Sequence, residues 1–198
     1  MAFIGLSRPA QQPVAHVPAP GDTAAPIAGF TASAPRTCIV FLRHTGCPFA
    51  EATVKRLRSH AAAAPQDLAY LVIGHGDAEP LQRWVERIGG LPEGVALLTD
   101  PQRRIYGEWG LGYTKASHFL GLRSLIGLAA LWPRGIRNRS ASGTRWQGAG
   151  TFLVDVNMRV LWRHLPRSAD ELPDFSQLTA PDAKPAQGGA ARASQSRT

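Results

Sequence analysis

The sequence predicts an α/β fold, a central mixed sheet flanked by helices. Three observations carry this. Unbroken apolar runs at residues 37–42, 68–73 and 95–98 are each followed by a helical pattern, as expected of parallel strands covered on both faces. Two further strand-like runs, 150–156 and 159–164, are separated only by Asn157-Met158, which makes an antiparallel hairpin at the sheet edge. Between the third strand and that hairpin lies an apolar and then basic stretch, read as a helical insertion.

Residues 1–35 are rich in Ala and Pro without a sustained period and read as a flexible or extended leader, with a docking point at 27–30. The first strand, 37–42, is apolar, β-branched and aromatic. Pro48 opens a helix to about residue 63, with Phe49, Ala52, Val54 and Leu57 on one face and Lys55, Arg56 and Arg58 largely on the other. After the strand at 68–73, Leu81, Trp84, Val85 and Ile88 give a helix over 78–88 that Gly89-Gly90 ends. Asp100 is placed to cap a helix from Pro101 to about residue 109. Residues 119–132 read as an apolar helix with Phe119, Leu122, Leu125, Ile126, Ala129 and Trp132 along one side, covering a face of the sheet. An Arg-, Ser- and Gly-rich loop over 133–148 leads to the hairpin. Ser168 is read as the cap of a last helix to residue 178, and 179–198 as a disordered tail. The domain is therefore expected over 36–178.

Composition narrows the function classes. Hydrophobic residues make up 44% of the 198, which suits a packed globular domain. No run of 18 uncharged apolar residues marks a membrane span. The first nine residues lack a basic region followed by a long apolar run, so a signal peptide is not expected. Two cysteines make no disulfide framework, and a reducing, cytoplasmic setting is expected. The net charge of +8 is concentrated: residues 111–150 hold Lys115, Arg123, Arg134, Arg137, Arg139 and Arg145 with no acid. A charge confined to one segment argues against nucleic acid as the partner.

The chemistry concentrates at Arg43-His44-Thr45-Gly46-Cys47-Pro48. Pro48 suits the first helical position, because that N–H has no intrahelical partner. Cys47 is then the N-cap, at the carboxyl end of a strand. Free backbone N–H groups and the positive end of the helix favour the thiolate there. Arg43 and His44 are close enough to add positive charge, and Thr45 can donate a hydroxyl. Cys38 lies inside the strand and reads as core packing. Nine residues of mostly extended chain separate the two thiols by up to ~30 Å, so an internal disulfide is not expected. The six histidines show no ligand spacing with Cys47, and neither a metal nor another cofactor is expected.

Four stretches resemble the peroxiredoxin-like branch of the AhpC/TSA superfamily. They are Phe41-Leu42-Arg43-His44-Thr45-Gly46-Cys47-Pro48-Phe49, Leu97-Leu98-Thr99-Asp100-Pro101-Gln102-Arg103, Gln147-Gly148-Ala149-Gly150-Thr151-Phe152-Leu153-Val154 and Arg159-Val160-Leu161-Trp162-Arg163-His164. The resemblance implies a thioredoxin-like fold with Cys47 as the reactive thiol, and it implies that Arg145 approaches that thiol. Two positions depart from the family pattern. Many relatives carry Cys-Pro-x-Cys, where this chain has Ala50. Peroxiredoxins place Thr three residues before the reactive Cys, where this chain has His44.

The expected function is that of a one-cysteine thiol oxidoreductase with antioxidant activity. Cys47 would attack a peroxide or a disulfide, assisted by Arg43, Thr45, Pro48 and Arg145. An external thiol, glutathione or a thioredoxin-like protein, would restore it. The alternative is a non-catalytic binding module that keeps the fold and uses its basic segment against an anionic membrane surface or a protein partner.

Overall fold

The computed structural model describes residues 8–63, 67–115, 122–136 and 143–178. The expected disordered tail at 179–198, the start of the insertion helix and part of the Arg-rich loop lie outside the described residues. The helices are α1 (Pro48–Ala61), α2 (Ala78–Arg87), α3 (Arg104–Glu108) and α4 (Leu122–Leu131). The strands are β1 (Arg36–Phe41), β2 (Leu68–Gly74), β3 (Val95–Thr99), β4 (Gly150–Asp155) and β5 (Val160–His164). They form one sheet in the order β3-β2-β1-β4-β5. β1 runs parallel to β2, and β2 to β3, while β4 is antiparallel to both β1 and β5. This is the expected mixed sheet of a thioredoxin-like fold.

Strand alternation divides the interior in two. Cys38, Val40 and Leu42 face a core shared with Val54, Leu57 and Leu81. Ile39 and Phe41 face the other, with Tyr106, Trp109 and Phe152. In that second core the Phe41 ring lies 5.1 Å from Tyr106 and 5.3 Å from Trp109, within the range of favourable aromatic pairing. The Tyr106 hydroxyl sits 2.6 Å from the Leu42 carbonyl and 2.9 Å from that of Ile73. It therefore ties together the carboxyl ends of β1 and β2, from which the candidate site projects.

Three expectations are corrected. Asp100 does cap α3, accepting the N–H groups of Arg104 at 3.0 Å and Tyr106 at 3.1 Å. The helix nevertheless starts at Arg104, because Arg103 adopts φ 57° and cannot be helical. The last expected helix shrinks to a 3₁₀ turn at Phe175–Leu178. Pro173 interrupts it, since proline removes a helical N–H and disfavours helical geometry before it. The apolar side assigned to the insertion is corrected at Ile126, Ala129 and Trp132; Phe119 and the side chains of Leu122 and Leu125 lie outside the described residues. Ile126 and Trp132 are 62% and 67% exposed, and Ala129 is exposed. Leu131 is buried and Leu128 half-buried instead, both in the first core, and α4 packs against α1.

The leader is extended, but its described residues are held against the domain. Ala24 and Ile27 are buried in the second core. Gly21 N–H donates to the Val160 carbonyl and Val160 N–H to the Asp22 carbonyl, both at 2.8 Å, which protects the edge strand β5. Further along, Ala15 N–H donates to the Gly107 carbonyl at 2.9 Å. A β-carbon at Gly107 would lie 2.4 Å from the Pro13 carbonyl oxygen. Gly107→Ala should therefore displace the leader while leaving α3 intact. Limited proteinase K digestion is expected to cut within residues 8–17 faster in the variant, and unchanged protection would show that the leader gives way at no cost.

Candidate active site

The strand–turn–helix at 41–51 sets the site. β1 ends at Phe41, and Gly46 turns the chain at φ 81°, a conformation that side chains with a β-carbon rarely adopt. Cys47 is the N-cap of α1, with φ −73° and ψ 125°, and Pro48 follows in the first turn. The Cys47 carbonyl accepts the Glu51 N–H at 3.1 Å, the first helical bond. The thiol thus stands at the positive end of a 14-residue helix.

Arg43 completes the pair. Its Nη1 lies 3.7 Å from Cys47 Sγ and its Nη2 donates to the Arg145 carbonyl at 3.1 Å. Both side chains are buried, Arg43 at 6% and Cys47 at 3% exposed. The sulfur therefore has a cation within contact distance and stands at a helix N-terminus. Arg145 enters through its main chain: its carbonyl orients Arg43, while its guanidinium charge bears on His44. Thr45 is buried, and its carbonyl is 2.8 Å from His44 Nδ1.

His44 does not add the positive charge expected of it. Burial, together with the nearby charges of Arg43 and Arg145, pushes its pKa down to about 3, against the raising effect of the Thr45 carbonyl. The imidazole is therefore neutral, donating from Nδ1 to Thr45. His75, at the end of β2, lies beside it. Burial, then the competing protonation of neighbouring His44 and the charges of Arg103 and Arg43, also hold His75 down to about 3. Its ring packs 5.6 Å from that of Tyr106, and neither ring nitrogen has a hydrogen-bond partner among the described residues. The sequence reading did not bring His75 to the site. The usable signal was strand pairing: Phe41 lies opposite Ile73 in parallel register, which sends 43–44 and 75 to one end of the sheet.

Cys38 sits in the first core with no exposed surface, and burial pushes its thiol far up, so it remains protonated. Both cysteines are free. A narrow cavity of about 30 Å³ lies behind Arg43, lined among others by Phe49, Ala50, Thr53, Gly150 and Thr151. It has room for a water or two. Among the described residues no group of three His, Cys, Asp or Glu is placed to hold a metal ion.

The arrangement offers one buried thiol, one guanidinium in contact with it and a neutral imidazole pair nearby. A family model described as AhpC/TSA antioxidant enzyme matches residues 55–168, beginning after the Cys47 turn. No curated protein matches the chain. Among solved structures, a peroxiredoxin-like protein from Aquifex aeolicus superposes with a TM-score of 0.53 at 15% identity, covering 84% of this chain and 85% of that one. A thiol peroxidase from Chromobacterium violaceum gives 0.53 at 16% identity over 89% and 94% of the two chains. Peroxidoxin BcpB from Mycobacterium tuberculosis gives 0.51 at 16% over 78% and 90%. At these identities the likeness shows the shared fold.

Proposed function

Because the chain belongs to the AhpC/TSA antioxidant enzyme family, we propose that it is a one-cysteine thiol oxidoreductase in which Cys47 reduces a small peroxide and an external thiol restores it. The observation that carries this is the Arg43–Cys47 contact at the N-terminus of α1. The Cys47 thiolate attacks one peroxide oxygen. The O–O bond breaks, sulfur is oxidised by two electrons to the sulfenic acid, and the departing hydroxide takes a proton to become water. A first thiol then displaces water to form a mixed disulfide. A second thiol releases Cys47 and leaves as the donor's disulfide. Ala50 offers no neighbouring thiol and Cys38 is sealed in the core, so the donor comes from outside: glutathione or a thioredoxin-like protein in a reducing, cytoplasmic setting.

Burial favours a compact oxidant. Arg43, His44, Thr45 and Cys47 are all buried, and an incoming protein disulfide needs more room at Sγ than a peroxide does; the same limit favours glutathione over a thioredoxin-like protein as the donor. The test is to oxidise the reduced chain with sub-stoichiometric hydrogen peroxide and trap sulfenic acid with dimedone. Mass spectrometry is expected to find the adduct on Cys47 and not on Cys38, and Cys47→Ser should consume no peroxide. An adduct confined to Cys38, or peroxide consumption surviving in Cys47→Ser, would overturn the assignment.

A further inference from the structure

We propose that the outer face of α4 docks on an anionic lipid bilayer. Ile126 and Trp132 are 62% and 67% exposed, and Ala129 and Ala130 between them are exposed too. The other large apolar side chains exposed among the described residues are Val14 and Val156, so two of the four lie within seven residues. The opposite side of α4 is anchored: a β-carbon at Gly127 would stand 2.5 Å from Asp170 Cβ and 3.3 Å from Phe49. That anchoring fixes which side points outward.

Charge selects the occupant. Arg123 lies in the first turn of α4 and Arg134 just beyond its end, within forty residues (111–150) that contain no acid. A second copy of this chain would bring two such positive segments face to face. The chain's own residues 179–198 carry a net +2 and do not complement the face either. An anionic headgroup layer does, and an apolar helix followed directly by a Trp-bearing 3₁₀ turn, with arginines on both sides in sequence, matches an interfacial helix. At ten residues α4 is too short to span a bilayer, so it lies in the plane of the interface. This docking does not depend on the chemistry of Cys47.

The test mixes the full chain with vesicles of phosphatidylglycerol and phosphatidylcholine, or of phosphatidylcholine alone. Co-sedimentation is expected with the mixed vesicles only, together with a blue shift of tryptophan emission. Salt near 0.5 M should weaken it. Ile126→Ser with Trp132→Ser should lower partitioning by roughly tenfold or more while leaving the thermal midpoint unchanged. Failure of the unaltered chain to sediment with the mixed vesicles overturns the proposal. So does equal binding by the double variant, or an Ile126- and Trp132-dependent dimer that ignores vesicles.

Discussion

Arg43→Met should slow the oxidation of Cys47 by hydrogen peroxide roughly 10- to 100-fold at neutral pH. Methionine keeps the unbranched shape and removes the charge. Unit charges about 4 Å apart interact by about 4 kcal/mol at an effective dielectric of about 20. Keeping a third to two thirds of that, about 1.4–2.8 kcal/mol, gives the stated range. Both side chains are nearly sealed from solvent, so water screens the pair little. The helix N-terminus remains in the variant, which is why activity should fall without vanishing. Iodoacetamide alkylation separates this from a fold defect. The variant should lag at neutral pH while its circular dichroism spectrum stays that of the parent. Equal rates at neutral pH would remove Arg43 from the site. Arg43→Lys should recover only part of the rate, because one ammonium cannot reach both Sγ and the Arg145 carbonyl as the guanidinium fork does.

The part of this site that was legible in the sequence is the part built locally. Gly46, Cys47 and Pro48 dictate a turn, an N-cap and a first helical residue, and the preceding apolar run supplies the strand. The mixture of a parallel portion and an antiparallel hairpin followed from the same logic, because strand–helix alternation and a two-residue hairpin leave few topologies. What was hidden depends on contacts between distant segments. Arg145 was expected to face the thiol. The contact that the structure shows is made by its carbonyl, which holds Arg43, and no periodicity encodes which atom of a loop residue points inward. The helix α4 is apolar on nearly every side, Leu-Arg-Ser-Leu-Ile-Gly-Leu-Ala-Ala-Leu, so composition could not say which stripe is buried. The small Gly127 against Asp170 and Phe49 decides it. His44 looked like a cation in sequence because burial is invisible there, and burial is the largest cause of its neutrality.

That neutrality predicts the pH dependence of stability. In the unfolded chain His44 and His75 titrate near the ordinary 6.5, whereas in the fold both stay neutral until about pH 3. Between these values the unfolded state binds more protons, so stability rises with pH and falls on acidification. The loss begins as pH drops through 6.5 and continues towards 3. At pH 5 each imidazole costs about 2 kcal/mol and the pair roughly 4, a large share of the ~5–15 kcal/mol typical of a domain. Urea unfolding midpoints should therefore drop steeply from pH 7.5 to pH 5. His75→Leu tests the cause. Its ring nitrogens have no hydrogen-bond partner among the described residues to lose, so near-neutral pH should show little change, while at pH 5 the variant should exceed the parent by about 2 kcal/mol. A parent whose stability is flat across this window, or a variant with the parent's slope, would mean that the imidazoles are solvated and free to charge. The same reasoning ties stability to the thiol. Arg43 is one of the charges holding both imidazoles neutral, so Arg43→Met should shift the acid transition to lower pH as it slows Cys47. One guanidinium thus serves the sulfur at the expense of acid tolerance.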